Sequence, residues 1–206
     1  MPPFSDSLIN QAVTLLKRGG VVAFPTDTVY GVGVHPFQSE AVRKLYQIKG
    51  RPIDKPIPIL VGAVGDVERV AQNLPASFFQ LAEHFWPGAL TLIIEAKELP
   101  PEVTAGGKTV GVRMPDHPIA LQLLRRFGSP IATTSANRSG AEPATSAEEV
   151  HAQLGALVDL ILDGGQTFAK IASTVLDLSV SPPLIRRQGG ISADELSPYL
   201  ALKNSY

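Results

Sequence analysis

The chain has 206 residues, 44% hydrophobic and 18% charged, a balance that fits one domain with a sizeable core and excludes a disordered or fibrous chain. Its formal net charge is −1, so no global basic field announces a nucleic-acid binder, and any anion site has to be local. With no cysteine, a disulfide framework, a zinc–thiolate centre and a Cys nucleophile are all excluded.

The opening MPPFSDSLINQ lacks the basic and apolar regions of a signal peptide. No apolar run reaches the ~20 residues of a membrane span, so a cytoplasmic protein with no membrane partner is expected. From there SDSLINQAVTLLKRGG reads as an amphipathic helix, capped by Ser5 or Asp6 and ended by Gly19-Gly20. VVAF is a short buried strand closed by Pro25. SEAVRKLYQIKG is a second helix, with a cap at Ser39 and Gly50 at its end.

After a proline-rich loop, IPILV is a strand, and PASFFQLAEHFW is a helix bounded by Pro75 and Pro87. ALTLIIEA and TVGVRM are strands, HPIALQLLRRFG is a helix ending at Gly128, and PIATT is a buried strand. SAEEVHAQLG starts a helix at Ser146, with Glu149 completing a capping-box pattern. LVDLILDGG, STVLDLS and PLIRRQ supply the last strands. The irregular alternation predicts an α/β (α+β) class with one open mixed sheet flanked by helices, in a single domain over 1–206.

Four features carry chemistry. FPTDTVYGVG sets Thr26, Asp27 and Thr28 at a strand end before Gly31 and Gly33, which suits a polar ligand approaching the backbone closely and equally suits a plain turn. QIKGRPIDKPIPIL packs Lys49, Arg51 and Lys55 among three prolines. Arg offers a planar fork for phosphate, and proline limits the entropy lost on clamping an anion; the competing reading is a solvated loop. PIATTSANRSG ends a strand in Thr133, Thr134, Ser135 and Asn137, where ligands bind in α/β sheets. Arg113, Arg186 and Arg187 end apolar strands, either toward a site or in structural ion pairs. Asp163 and Asp177 are candidate metal or amine partners, or caps of neighbouring loops. The four histidines show no metal-ligand spacing, and there is neither a GxSxG elbow nor a P-loop.

Six stretches in order, FPTDTVYGVG, KGRP, FWPGALTLI, VGVRMP, TSANRSG and STVLDL, resemble the YrdC-like family of threonylcarbamoyl-AMP synthases over about residues 8–195. The resemblance implies a twisted open α/β sheet with a concave, positively charged pocket. It also implies synthesis of threonylcarbamoyl-adenylate from L-threonine, bicarbonate and ATP, with Mg2+ bridging the phosphates and pyrophosphate released. A downstream transfer complex then modifies adenosine 37 of tRNAs that read ANN codons.

By the same resemblance Lys49 and Arg51 form the K-x-R that grips the ATP phosphates and count as the catalytic pair. Thr28, Arg113, Thr133 and Ser173 fall on the threonine side, and Thr109, Ser135, Asn137 and Arg187 on the ATP side. Lys55 stands where many relatives have Asn, so its ATP-side role is the least defined. Leu60 stands where some longer members carry His, and the second domain of those members is not expected in this chain. The rival readings are an RNA-binding module for tRNA or double-stranded RNA, a carbamoyltransferase like that of hydrogenase maturation, and a diverged paralogue that binds nucleotide without threonine chemistry.

Overall fold

The computed structural model of the protein describes residues 5–167 and 171–200. The first four residues, part of the stretch read above for a leader, lie outside that range. Helix α1 (Asp6–Lys17) leads into strand β1 (Val22–Phe24), which turns back as β2 (Gly31–Val34); α2 (Ser39–Lys49), the proline loop and β3 (Ile59–Leu60) follow. The middle of the chain is α3 (Ala76–Phe85), β4 (Leu90–Glu95), α4 (Pro101–Thr104), β5 (Thr109–Arg113), α5 (Pro118–Phe127) and β6 (Ile131–Ser135). Helix α6 (Ala147–Leu154), strands β7 (Leu160–Ile161), β8 (Thr174–Asp177) and β9 (Leu184–Arg187), and helix α7 (Ala193–Leu200) complete it.

The helix ends follow the local chemistry. α2 stops at Gly50 and α5 at Gly128, both in the left-handed region that glycine enters at no steric cost (φ 58° and 66°). The Ser146 hydroxyl accepts from Glu149 N at the start of α6, while the Glu149 carboxylate reaches back to Thr145 N at 2.7 Å. Ser39 is the first residue of α2 and Gln38 occupies the cap, one position off the expectation. Strand β2 was hidden in GVGV, because its glycines read as a turn. The single turn α4 and α7, which carries Pro198 inside it, had no clear periodic signal either.

All nine strands among the described residues join one sheet in the order β7-β1-β2-β6-β3-β5-β4-β8-β9. The β1/β7, β3/β5 and β4/β8 pairs are parallel and the others antiparallel, so the sheet is mixed, and its two edges do not meet. Paired residues point to the same face. Val32, Ile59, Val112, Leu92 and Leu176 therefore share one face, fully buried with Leu45 of α2 and Phe78 of α3. Each such side chain contributes roughly 1.5–3 kcal/mol by leaving water.

The other face is split. Over β1, β2 and β6 it is sealed by α1 and α5, whose Ile9, Leu16, Leu123 and Leu124 pack on Val22, Phe24 and Ile131. Beyond Leu60 the same face carries Gly111, Thr91, Ser173, Arg113 and Arg187 beside the aliphatic Ile93 and Val175, and it stays open. No helix among the described residues is long and apolar enough to cross a membrane.

Candidate functional site

The open half of that face is a cleft of about 530 Å3, lined among others by Thr28, Arg51, Leu60, Thr91, Ile93, Gly111, Arg113, Ser135, Glu142, Ser173, Val175 and Arg187. Its size lies within the ~300–1,000 Å3 usual for small-molecule sites. Gly111 keeps the floor low: a Cβ there would stand 3.2 Å from the Thr91 methyl. Three guanidinium groups against one lining carboxylate, Glu142, make the cleft a receptor for anions.

One end is built around Arg113, the last residue of β5 and 7% exposed. Its Nε donates to Gly88 O at 2.8 Å, one terminal nitrogen donates to Thr28 Oγ1 at 3.1 Å, and the other donates to Asp27 Oδ1. Asp27 also accepts from Asp116 N at 3.1 Å, which ties the guanidinium to the turn entering α5. Thr28 is held in turn by Thr26, whose Oγ1 lies 3.0 Å away and donates to Val29 O. Burial lowers the Arg113 proton affinity, Asp27 opposes that, and the charge on Arg187 adds to it. Of five guanidinium N–H groups three are engaged, so two remain, one on each terminal nitrogen.

The adjoining wall comes from β4, β8 and β9. Ser173 Oγ and Thr91 Oγ1 are 2.8 Å apart, and Arg187 clamps Ser173 through its carbonyl (2.9 and 3.1 Å) and its hydroxyl (3.1 Å). Both N–H groups of the third Arg187 nitrogen stay free of protein partners. Ile93, Val175 and Leu60 add an apolar strip beside these hydroxyls.

The far end joins the proline loop to the turn after β6. Arg51 donates from Nε to Lys55 O (3.3 Å) and from one terminal nitrogen to Pro56 O (3.0 Å), folding the loop around its own side chain. Its guanidinium also meets the Tyr46 hydroxyl, which leaves two N–H groups without a protein partner. Lys49 behaves differently. It is 3% exposed and does not line the cleft, and its ammonium donates to Ser135 O, to Asn137 O (2.6 Å) and to Asn137 Oδ1 (3.3 Å). Burial, reinforced by Arg51, lowers its pKa to about 8.

The expected residues divide accordingly. Thr28, Arg51, Arg113, Ser135, Ser173 and Arg187 line one cleft. Asn137 is buried just behind Ser135, whose hydroxyl donates to its Oδ1 at 2.5 Å. Thr133 packs over the glycines of β2 instead: a Cβ on Gly31 would stand 2.8 Å from its methyl. Thr109 lies at the other end of β5 from Arg113, ~13 Å along the strand, beside Asn73, Glu95 and Ser179. The Lys55 side chain is exposed and outside the lining; its carbonyl serves Tyr46 and Arg51.

Arg186 takes the structural role weighed for it, pairing with Asp177 at 2.7 Å. Asp163 caps its own loop by accepting from Gly165 N. Among the described residues no group of three or more His, Cys, Asp or Glu could hold a metal ion. Sequence reasoning left Asp27 open between a ligand contact and a turn, and passed over Thr91, Ile93 and Gly111. The alternation in ALTLIIE, which turns Thr91 and Ile93 to one face, was the available signal.

The sequence profile of the Sua5/YciO/YrdC family, described as telomere recombination, matches residues 14–189. The chain is 44% identical over 194 residues to the threonylcarbamoyl-AMP synthase of Bacillus subtilis strain 168, covering 93% of this chain and 56% of that protein. The structure of Pyrococcus abyssi Sua5 complexed with L-threonine matches with a TM-score of 0.91 at 40% identity, over 94% of this chain and 57% of that one. Escherichia coli YciO matches with a TM-score of 0.84 at 30% identity, over 96% of both chains. The chain thus spans a little over half the length of the B. subtilis and P. abyssi proteins.

Proposed function

The chain belongs to the Sua5/YciO/YrdC family, and on that premise we propose that its cleft makes threonylcarbamoyl-AMP from L-threonine, bicarbonate and ATP, with release of pyrophosphate. The observation that carries the reading is the presence of two separate anion receptors in one cleft: the unused N–H groups of Arg113 and those of Arg51. A substrate pair with a carboxylate on one molecule and a triphosphate on the other calls for that arrangement. The P. abyssi relative, a complex with L-threonine, supports the amino-acid half.

In this reading Arg113 takes the threonine carboxylate in a bidentate contact. Thr28 and Ser173 meet its polar atoms, and the strip of Leu60, Ile93 and Val175 takes its methyl group. Arg51, Ser135 and Arg187 hold the nucleotide phosphates. The threonine amine captures CO2 with loss of a proton, or bicarbonate with loss of water, to give a carbamate; a carbamate oxygen then attacks the α-phosphorus of ATP in line, and pyrophosphate leaves. No protein nucleophile is needed, so positioning and charge stabilisation supply the catalysis.

Magnesium enters as part of the MgATP substrate, held by phosphate oxygens and water, because the lining offers Glu142 alone as a carboxylate. Carbamates lose CO2 readily, which favours closing the cleft to water. The proline loop is placed to close it, with Ile53 61% exposed at its tip. A downstream complex uses the product to modify adenosine 37 of tRNA.

The test is pyrophosphate release with ATP, Mg2+ and bicarbonate, run with L-threonine, with L-serine and with no amino acid, with mass spectrometry for the adenylate. Release that depends on threonine and bicarbonate, with that product, is expected. Folded protein that binds ATP and yields no adenylate would overturn the reading in favour of a nucleotide-binding paralogue.

A further inference from the structure

Lys49 is a buried cation whose every donor is spent. Its three N–H groups face three oxygens of the turn after β6: Ser135 O, Asn137 O and Asn137 Oδ1. Its backbone is tied to the same turn, since Ser139 N donates to Lys49 O at 2.8 Å. Asn137 is filled in the same way: its amide nitrogen donates to Arg138 O (2.8 Å) and Ala141 O (2.7 Å), while its Oδ1 accepts from Ser135 and Lys49. To meet a ligand, Lys49 would have to abandon the buried Asn137 carbonyl and the part-buried Ser135 carbonyl, a cost for as long as they stay unpaired. Arg51, two residues on, lines the cleft with donors to spare.

Resting on the assignment of Arg51 and Ser135 to the phosphate end, we propose that Lys49 is a positioning residue: it builds the Ser135–Asn137 turn that presents the Ser135 hydroxyl to the nucleotide, and it contacts no substrate itself. The end of α2 suits the task, because the carbonyl end of a helix favours a cation and the left-handed Gly50 turns the chain away just beyond it.

The distinguishing measurement needs no ligand. In unliganded Lys49→Met, backbone amides 136–141 exchange hydrogen at least ~10-fold faster than in wild type, while the amides of α1 and α5 are unchanged. In unliganded Arg51→Met the same amides keep wild-type exchange. Both variants raise the KM for ATP while leaving that for threonine within about twofold, since neither touches the Arg113 end. Wild-type exchange at 136–141 in Lys49→Met, together with lost ATP affinity, would make Lys49 a direct ligand and overturn the proposal.

Should Lys49→Met not fold, wild-type protein labelled with 15N at both lysine Nζ and arginine Nε serves instead. ATP should then shift the Lys49 ammonium signal less than the Arg51 Nε–H signal, and the reverse order would overturn the proposal. Failure to make the adenylate, with fast exchange still seen in Lys49→Met, would sink the proposed function and leave the role of Lys49 in the turn standing.

Discussion

The two ends of the cleft are each organised by a buried cation, and they differ in what the protein leaves undone. At the Arg113 end, Gly88, Asp27 and Thr28 take three N–H groups and leave one on each terminal nitrogen. At the other end, Ser135 and Asn137 take every donor of Lys49, and the receptive charge is passed to Arg51. Burial alone therefore does not mark a ligand-binding cation. The donors left over after the protein's own acceptors are satisfied do mark one, and a five-donor fork can be fixed and still bind where a three-donor ammonium cannot.

The largest effect should come from reducing the fork to a point charge. Arg113→Lys keeps a cation beside Asp27 but loses one charge-assisted contact, so kcat/KM for threonine should fall on the order of 10- to 100-fold with the KM for ATP little changed. Steady-state kinetics with each substrate varied checks this, and equal losses for both substrates would erase the distinction between the ends. Next, Arg51→Ala should lower ATP-dependent turnover at least ~10-fold through loss of a charge-assisted phosphate contact. Full activity in that folded variant would remove the proline loop from the mechanism.

A smaller change sharpens the threonine end. Thr28→Val keeps the shape and removes the hydroxyl that accepts from Arg113, so the threonine requirement should rise several-fold, far more than that for ATP. A parallel rise in both would take Thr28 out of the amino-acid subsite.

The smallest effect is in pH. Lys49 titrates at about 8 in the fold, below its ordinary 10.5. Between those values the unfolded chain holds a proton that the folded chain has released, so the Lys49 contribution to stability rises with pH across that window. ATP use should move the opposite way, because a neutral amine brings two N–H groups to three oxygens and the turn loosens. A fall in kcat/KM for ATP above pH 8 that is absent from Lys49→Met would carry this point. An identical profile in the two proteins would contradict it.

Much of this was legible in the sequence where local order decides the outcome. Arg113 ends an apolar strand before Met-Pro, and a strand end fixes where its side chain must lie. The helices were readable from periodicity and from Gly50 and Gly128. The division of labour between Lys49 and Arg51 was not readable, because it depends on carbonyls 86 and 88 residues further along the chain.

Strand β2 was obscured because GVGV reads as a turn until Thr133 of β6 is seen filling the space above its glycines. Thr109 entered by resemblance alone, and only the length of β5 shows that it lies ~13 Å along the strand from Arg113, outside the cleft lining. Asp27 stays open between a ligand contact and a turn until Arg113, 86 residues on, is brought against it.

The most direct test of the two-ended cleft is calorimetric titration of L-threonine and of MgATP separately into wild type, Arg113→Lys and Arg51→Ala. The account predicts a crossed result: Arg113→Lys loses threonine affinity and keeps ATP, and Arg51→Ala loses ATP and keeps threonine. Either variant losing both ligands equally, or the opposite crossing, would contradict the assignment of the ends.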